Sequence, residues 1–193
     1  MTIKIILIAV FLIILIFMSK NERKKSKNFW KEWYINRKNF PLKYKGKTIW
    51  YSRSVAVALF AFAKNGEGKW CVLANKRGKG TPNFQSHWNC PCGYLDWNEN
   101  GRAASIREAY EECGIKLDYN QVHFIGYNIK PDEATQNVTF RYGAILDKKS
   151  EEYEFSKKYN EKAEVDEIKW SPIEDIEQYT WAFNHLRLIP WAF

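Results

Sequence analysis

Apolar runs separated by turn-forming clusters predict most of a fold along this chain. The first run is Ile5 through Met18, fourteen apolar residues without a charge. A helix from Thr2 to Ser19 would be about 27 Å long, slightly short of a hydrocarbon core about 30 Å thick, and Lys4 and Lys20 stand at its ends to snorkel. Phe17-Met18-Ser19-Lys20 offers no small-x-small cleavage site and no cysteine follows for lipidation, so residues 1–19 are expected as an uncleaved transmembrane anchor rather than a signal peptide. Further on, Val55 to Ala63 and Lys69 to Asn75 read as paired buried strands around the turn Lys64-Asn65-Gly66-Glu67-Gly68. His87 to Gly93 reads as a strand or extended loop entering a short helix. Gln121 to Lys130 and Asn137 to Leu146 read as two more strands separated by a Pro-Asp turn, and Glu164 to Trp170 as another. Ser171-Pro172-Ile173-Glu174 marks a helix start, and Trp181 to Ile189 a closing helix.

Composition bounds this to one catalytic domain plus extensions: 193 residues at 46% hydrophobic content suffice for one core of ordinary size. The net charge of +8 resembles a nucleic-acid signature until it is divided along the chain. Residues 1–53 carry 13 Lys and Arg against 2 acids, whereas residues 54–193 carry 17 against 20. The basic excess therefore flanks the apolar N-terminus, where Lys20, Arg23, Lys24, Lys25 and Lys27 outweigh Lys4. The positive-inside rule then makes the expected product a single-pass membrane protein with its domain in the cytoplasm. Residues 20–49 are expected as a basic and aromatic juxtamembrane linker and residues 50–193 as the domain. Phe29, Trp30, Trp33, Tyr34, Tyr44, Trp50 and Tyr51, interleaved with basic residues, also fit a nucleic-acid stacking platform, but interfacial aromatics leading into the first strands are the simpler reading, and no nucleic-acid partner is expected.

Chemistry concentrates between Gly93 and Ile115. At 100° per residue, Glu111 lies 60° to one side of Glu108 and Glu112 lies 40° to the other, which crowds three carboxylates onto one helix face. Like charges at that spacing weaken a helix unless a cation neutralises them. Mg²⁺, a hard ion that takes carboxylate oxygens and bridges to phosphates, suits the set best, with Mn²⁺ as the alternative. Arg107 stands four residues before Glu111, placed to pair with it or to brace the loop carrying Glu99. Asn100 is the N-cap candidate and Gly114 the C-terminal stop. Ala103, Ile106, Tyr110 and Cys113 form an apolar face expected to pack on a sheet, opposite the acids.

The same residues fill a known pattern: Gly93, five residues, Glu99, seven residues, Arg107-Glu108, the small Ala109, one residue, Glu111-Glu112, one residue, Gly114 and Ile115. This segment resembles the Nudix box, and the element order over residues 50–190 resembles the Nudix fold, an α/β fold with a mixed β-sheet sandwiched between α-helices, here preceded by the expected transmembrane helix. The resemblance implies an Mg²⁺-dependent pyrophosphohydrolase that cleaves the diphosphate of a nucleoside diphosphate linked to another group. Carried over residue by residue, it makes Glu111 and Glu112 direct metal ligands, Glu108 a ligand or base, Glu99 an auxiliary metal or bracing carboxylate, and Arg107 an orienting residue. Some members draw a general base from a later loop, where Glu161 and Glu164 are candidates. The fold also serves in nucleotide-sensing modules without turnover; these usually lose box carboxylates, all of which are present here.

Other features add less. Pro131, sixteen residues past the box, is close to but not at the spacing of members that cleave ADP-ribose. Cys92 stands where many members have glycine, which would strain a left-handed backbone. Cys71, Cys90, Cys92 and Cys113 are expected reduced and serving packing. His87-x-x-Cys90-x-Cys92 lacks a fourth ligand for zinc, and His123 and His185 lack an evident partner.

Overall fold

A computed structural model of the protein describes residues 40–129, 137–156 and 163–193, and the chain divides into two units, residues 1–53 and 54–193. In the first unit, β1 (Phe40–Tyr44) and β2 (Lys47–Tyr51) form an antiparallel hairpin with Tyr44 opposite Lys47. Lys45 at φ 46° and Gly46 at φ 75° make the two-residue turn, with both residues left-handed as the strand twist requires.

The expected transmembrane helix and the single-pass membrane localisation drawn from it are corrected. Among the described residues no helix is long and apolar enough to cross a membrane. The longest has 13 residues and carries the charged box residues, so at about 1.5 Å per residue it falls far short of a bilayer core. Residues 1–19 themselves lie outside the described residues.

The second unit is built on seven strands. These are β3 (Val55–Lys64), β4 (Trp70–Arg77), β5 (Trp88–Asn89), β6 (Cys92–Tyr94), β7 (Val122–Asn128), β8 (Val138–Ile145) and β9 (Val165–Pro172). Their path runs β5-β4-β3-β8-β7, with β6 added to β3 and β9 to β4. β3 and β8 run parallel in register from Val55–Val138 to Phe62–Ile145, and every other pairing is antiparallel, so the sheet is mixed as expected.

β3 is the spine because both of its faces are buried. Val57, Leu59, Ala61 and Ala63 enter one core with Leu73, Val122 and Ala144, under helix α1 (Gly101–Cys113). Ala58, Phe60 and Phe62 enter the other with Val72 and Ile189, under helix α2 (His185–Ala192) and the 3₁₀ turn Ile173–Gln178. A strand buried on both faces reads as a continuous apolar run, which is the pattern at 55–63.

One divergence in the sheet matters for function. β4 pairs with β3 only at Phe62–Val72 through Lys64–Trp70, while lower down the same edge of β3 is taken by β6. Between them the Leu59 N–H donates to the Pro91 carbonyl at 2.8 Å, so residues 88–94 wedge the two long strands apart. The fork faces the C-terminal half of α1, where Asn75 and the Cys92 N–H reach Glu112 and Gly93 lies against Glu108.

That helix is bounded as the sequence predicts. Asn100 Oδ1 accepts from the Ala103 N–H at 3.0 Å, and Gly114 closes the helix at φ 76° with its N–H on the Tyr110 carbonyl. A Cβ at Gly114 would lie 2.6 Å from the Ser156 nitrogen in addition to straining the left-handed backbone. Gly114→Ala is therefore expected to cost about 1–3 kcal/mol of stability, read as a lowered midpoint in thermal or urea unfolding.

The rotation of α1 differs from the expected one. Ala104, Ser105, Glu108, Ala109 and Cys113 are its buried residues, whereas Ala103 and Tyr110 are only half-buried and Ile106 packs at the margin. Small side chains let the helix approach the sheet closely, which rolls the acids toward the core instead of leaving them opposite it. The closing helix also begins later than Trp181. Phe183 at φ 55° and Asn184 at φ 61° are left-handed, and Trp181 bridges to Trp88, so helical geometry starts only at His185.

Candidate functional site

Gly93, Arg107, Glu108, Glu111 and Glu112 of the box line a cleft of about 740 Å³. Arg107 is the hub of the polar cluster. Its Nε and Nη2 donate to the two oxygens of Glu99 at 3.2 and 2.8 Å, and its Nη1 to Glu108 Oε1 and Glu111 Oε2, each at 2.8 Å. Nη2 also donates to the Tyr94 carbonyl at 2.9 Å, which ties the cluster to β6. Arg107 thus both pairs with Glu111 and braces the loop of Glu99, the two roles its spacing allowed.

Glu112 is held differently. Its Oε2 accepts from Asn75 Nδ2 at 2.7 Å and from the Cys92 N–H at 3.1 Å, and among the described residues it takes only these neutral donors. Asn75 itself is buried on β4, with its Oδ1 unpartnered. The four acids therefore divide into three sharing one arginine and one fixed by the sheet.

These surroundings set the acidities. Burial pushes the Glu112 carboxyl up to about 8, aided by the neighbouring Glu108, and burial pushes Glu108 up to about 7 despite the opposing Arg107. Glu99 is lowered, first by its hydrogen bonds from Arg107. Arg107 is raised further by Glu99 and stays charged.

Gly93 is required by proximity, not by a positive φ. A Cβ there would lie 2.2 Å from Glu108 Oε1 and 2.4 Å from its carboxyl carbon, so only glycine lets the Glu108 carboxylate rest against β6. The Cys92 beside it avoids left-handed geometry, and the strain feared for it is absent.

Carboxylate oxygens, two of them on groups that burial leaves short of neutralising charge, fit a hard divalent ion such as Mg²⁺. As they stand, among the described residues, no three His, Cys, Asp or Glu side chains are gathered closely enough to chelate an ion. Arg107 occupies the centre where three of the acids converge. Glu108 and Glu112 bind protons more tightly when folded than at their ordinary value of 4.5. The stability they contribute is full below about pH 4.5 and is lost as pH rises through about 7 to 8. Metal-free protein is thus expected to melt at progressively lower temperature across that window, and Mg²⁺ to restore stability most at its alkaline end. Scanning calorimetry at a series of pH values with EDTA or Mg²⁺ checks this; a flat profile would contradict it.

Other sequence candidates are sorted by the same geometry. Glu164 lines the cleft; Glu161 and Pro131 lie outside the described residues. His87, Cys90 and Cys92 do not converge: His87 Nδ1 meets the Gln85 carbonyl, the Cys90 N–H donates to His185 Nδ1, and Cys92 Sγ accepts from Asn89. All four cysteines are free thiols. His185 is buried with its pKa lowered to about 3 by burial, a neutral acceptor inside the core, while His123 is exposed. The sequence reading missed Asn75, whose signal was a polar residue ending an apolar strand. It also missed Phe84 and Phe183, loop residues that leave no periodic trace.

Comparison with known proteins shows the family and the fold. The family pattern described as NUDIX domain matches residues 52–192. Among solved structures, the NUDIX domain of NrtR from Shewanella oneidensis, crystallised with ADP ribose, is similar with a TM-score of 0.61 and 23% identity, covering 74% of this chain and 87% of that one. A MutT/nudix family protein from Enterococcus faecalis gives 0.60 and 22% over 89% and 69%, and a C. elegans Ap4A hydrolase binary complex gives 0.52 and 21% over 71% and 93%. No curated protein matches the chain.

Proposed function

The chain belongs to the Nudix family of hydrolases, which act on phosphorus-containing anhydrides, and from that premise we propose that it cleaves the diphosphate of a nucleoside diphosphate joined to a further group, with Mg²⁺ as its metal. The observation that carries this reading is the convergence of Glu99, Glu108 and Glu111 on Arg107, with Glu108, Glu111 and Glu112 lining the cleft. Residues 50–193 would form the catalytic domain.

Glu111 and Glu112 would hold the ion, with Glu108 and Glu99 completing the set. An Mg²⁺ ion held there would supply positive charge to the phosphoryl and leaving oxygens, where negative charge builds up as the anhydride is cleaved. The remaining work falls to the chain itself. Arg107 fixes the directions of three carboxylates at once, so their spacing is set before substrate arrives. Asn75 and the Cys92 N–H orient Glu112 through its Oε2, and the residue lines the cleft. Glu108 Oε2, the oxygen that Arg107 does not hold, is the atom of that residue free to complete the ligand set or to take a proton from water. Glu164, exposed on the cleft wall, is the alternative base.

The similar solved structures include one crystallised with ADP ribose and one named as an Ap4A hydrolase, which makes both compounds first members of a test panel. Nucleotide sugars, dinucleotides and oxidised nucleotides complete it, each with Mg²⁺ and with Mn²⁺. Release of a nucleoside monophosphate from at least one member is expected. Binding without turnover across the whole panel would instead fit a nucleotide-sensing module.

A further inference from the structure

Cys90 and Pro91 lie between β5 and β6 and belong to neither strand. Pro91 has no N–H, so the Cys90 N–H is the one backbone donor of the pair, and Cys90 is fully buried. A buried N–H without a ladder partner needs some other acceptor, because leaving it unpaired costs free energy comparable to a lost hydrogen bond. His185, the first residue of α2, supplies one: its Nδ1 accepts from the Cys90 N–H at 3.0 Å.

Packing alone does not account for a histidine here. Its ring meets Phe60 edge to face at 5.5 Å and lies tilted against Phe183 at 5.7 Å. A phenyl ring would make those contacts without burying ring nitrogens, whereas only an acceptor answers the Cys90 N–H. Burial, reinforced by Arg141 and Arg77, lowers the His185 pKa to about 3, so the ring stays neutral and Nδ1 remains an acceptor at any ordinary pH. The bond from Cys90 also selects the tautomer, with the ring proton on Nε2.

The residues that follow Cys90 reach the box carboxylates. The Pro91 carbonyl accepts from the Leu59 N–H at 2.8 Å, and the Cys92 N–H donates to Glu112 Oε2 at 3.1 Å. Three consecutive residues are thus stapled to three elements: Cys90 to α2, Pro91 to β3 and Cys92 to α1. The connection crosses the sheet, since Cys90 belongs to the core under α2 while Glu112 extends from α1 on the other face. We propose that His185 is a positioning residue for the metal site: by holding the Cys90 N–H it sets the path of residues 90–92, and thereby the direction of the Cys92 N–H that aims Glu112. The role rests on the reading of Glu112 as a metal ligand. It requires no contact between His185 and metal or substrate, because a ligand's orientation is fixed by the groups bonded behind it.

Mn²⁺ binding to the full chain, followed by the electron paramagnetic resonance of free Mn²⁺ with no substrate present, tests this. His185→Asn puts an amide oxygen close to where Nδ1 stands and is expected to bind Mn²⁺ as wild type does. His185→Gln carries the same amide one bond further out, and His185→Phe keeps a ring without an acceptor. Both are expected to weaken Mn²⁺ binding by roughly threefold to thirtyfold, short of the roughly 10–100-fold that follows loss of a partner bonded directly to a ligand. Loss in His185→Gln with retention in His185→Asn cannot come from general unfolding, and that pair decides the matter even where His185→Phe fails to fold. Equal binding by His185→Asn and His185→Gln, or wild-type binding in all three, would overturn the positioning role. Glu112→Gln separates this outcome from the reading beneath it. Mn²⁺ binding that needs Glu112 but ignores His185 removes the positioning role alone, whereas binding that is absent, or as tight in Glu112→Gln as in wild type, removes the ligand reading and the positioning role together.

Discussion

Glu112→Gln is expected to lower turnover by roughly 10²–10⁴-fold with the fold intact, and Glu111→Gln to do so comparably. The two variants differ in what they should do to stability. Glu112 is wrapped by neutral donors and its carboxyl holds a proton up to about pH 8, so a neutral amide of the same shape replaces it at little cost. The amide oxygen can still accept from Asn75 and Cys92. What disappears is an anionic ligand. Steady-state kinetics on the best panel substrate, alongside melting curves in EDTA, separate the two effects. Both variants turning over at near wild-type rates would show that the ligand set lies elsewhere.

Arg107→Met should be the most disruptive change at the site. It leaves Glu99, Glu108 and Glu111 facing one another without the cation that now spans them at 2.8 Å. Removing one partner of a buried ion pair costs about 3–5 kcal/mol, and because the guanidinium keeps 26% exposure a loss of roughly 2–3 kcal/mol is expected. Turnover should fall as well, since three carboxylates lose their fixed directions. Arg107→Lys should recover little of either, for one ammonium cannot reproduce a fork that reaches three carboxylates and the Tyr94 carbonyl. Urea unfolding gives the measurement; a midpoint equal to wild type would mean that Arg107 does not hold the cluster together.

Much of the fold was legible because its strands announce themselves. Val55–Ala63 is an apolar run of strand length, and the turn at residues 64–68 fixes its partner. The caps of α1 were legible for a similar reason, since Asn100 and Gly114 each do something few other residues can. The roll of that helix was not. Ala104, Ser105 and Ala109 carry too little hydrophobic signal to mark a buried face, while Ile106 and Tyr110 carry more than their burial justifies. Hidden in that error was the burial of Glu108, which is what raises its pKa. The apolar run at residues 5–18 and its flanking charges led the reading of localisation astray, for among the described residues no helix is long and apolar enough to cross a membrane. The contact between Phe84 and Phe183 was invisible for yet another reason: they are about a hundred positions apart in the chain, and the pairing of Trp88 with Trp181 and Ala182 brings their segments together.

β3 imposes an order on how this domain comes together. Its upper edge needs β4, the next strand in the chain, which a local hairpin supplies at once. Its opposite edge needs β8 in parallel, and that strand is reached only after the box helix and β7 have been traversed. Parallel pairing over such a separation closes a long loop before any contact repays the lost chain entropy. The β3–β4 hairpin must therefore wait with an apolar, unpaired edge until the second half of the domain arrives. While the chain emerges from the ribosome, that waiting edge is the stretch most exposed to self-association.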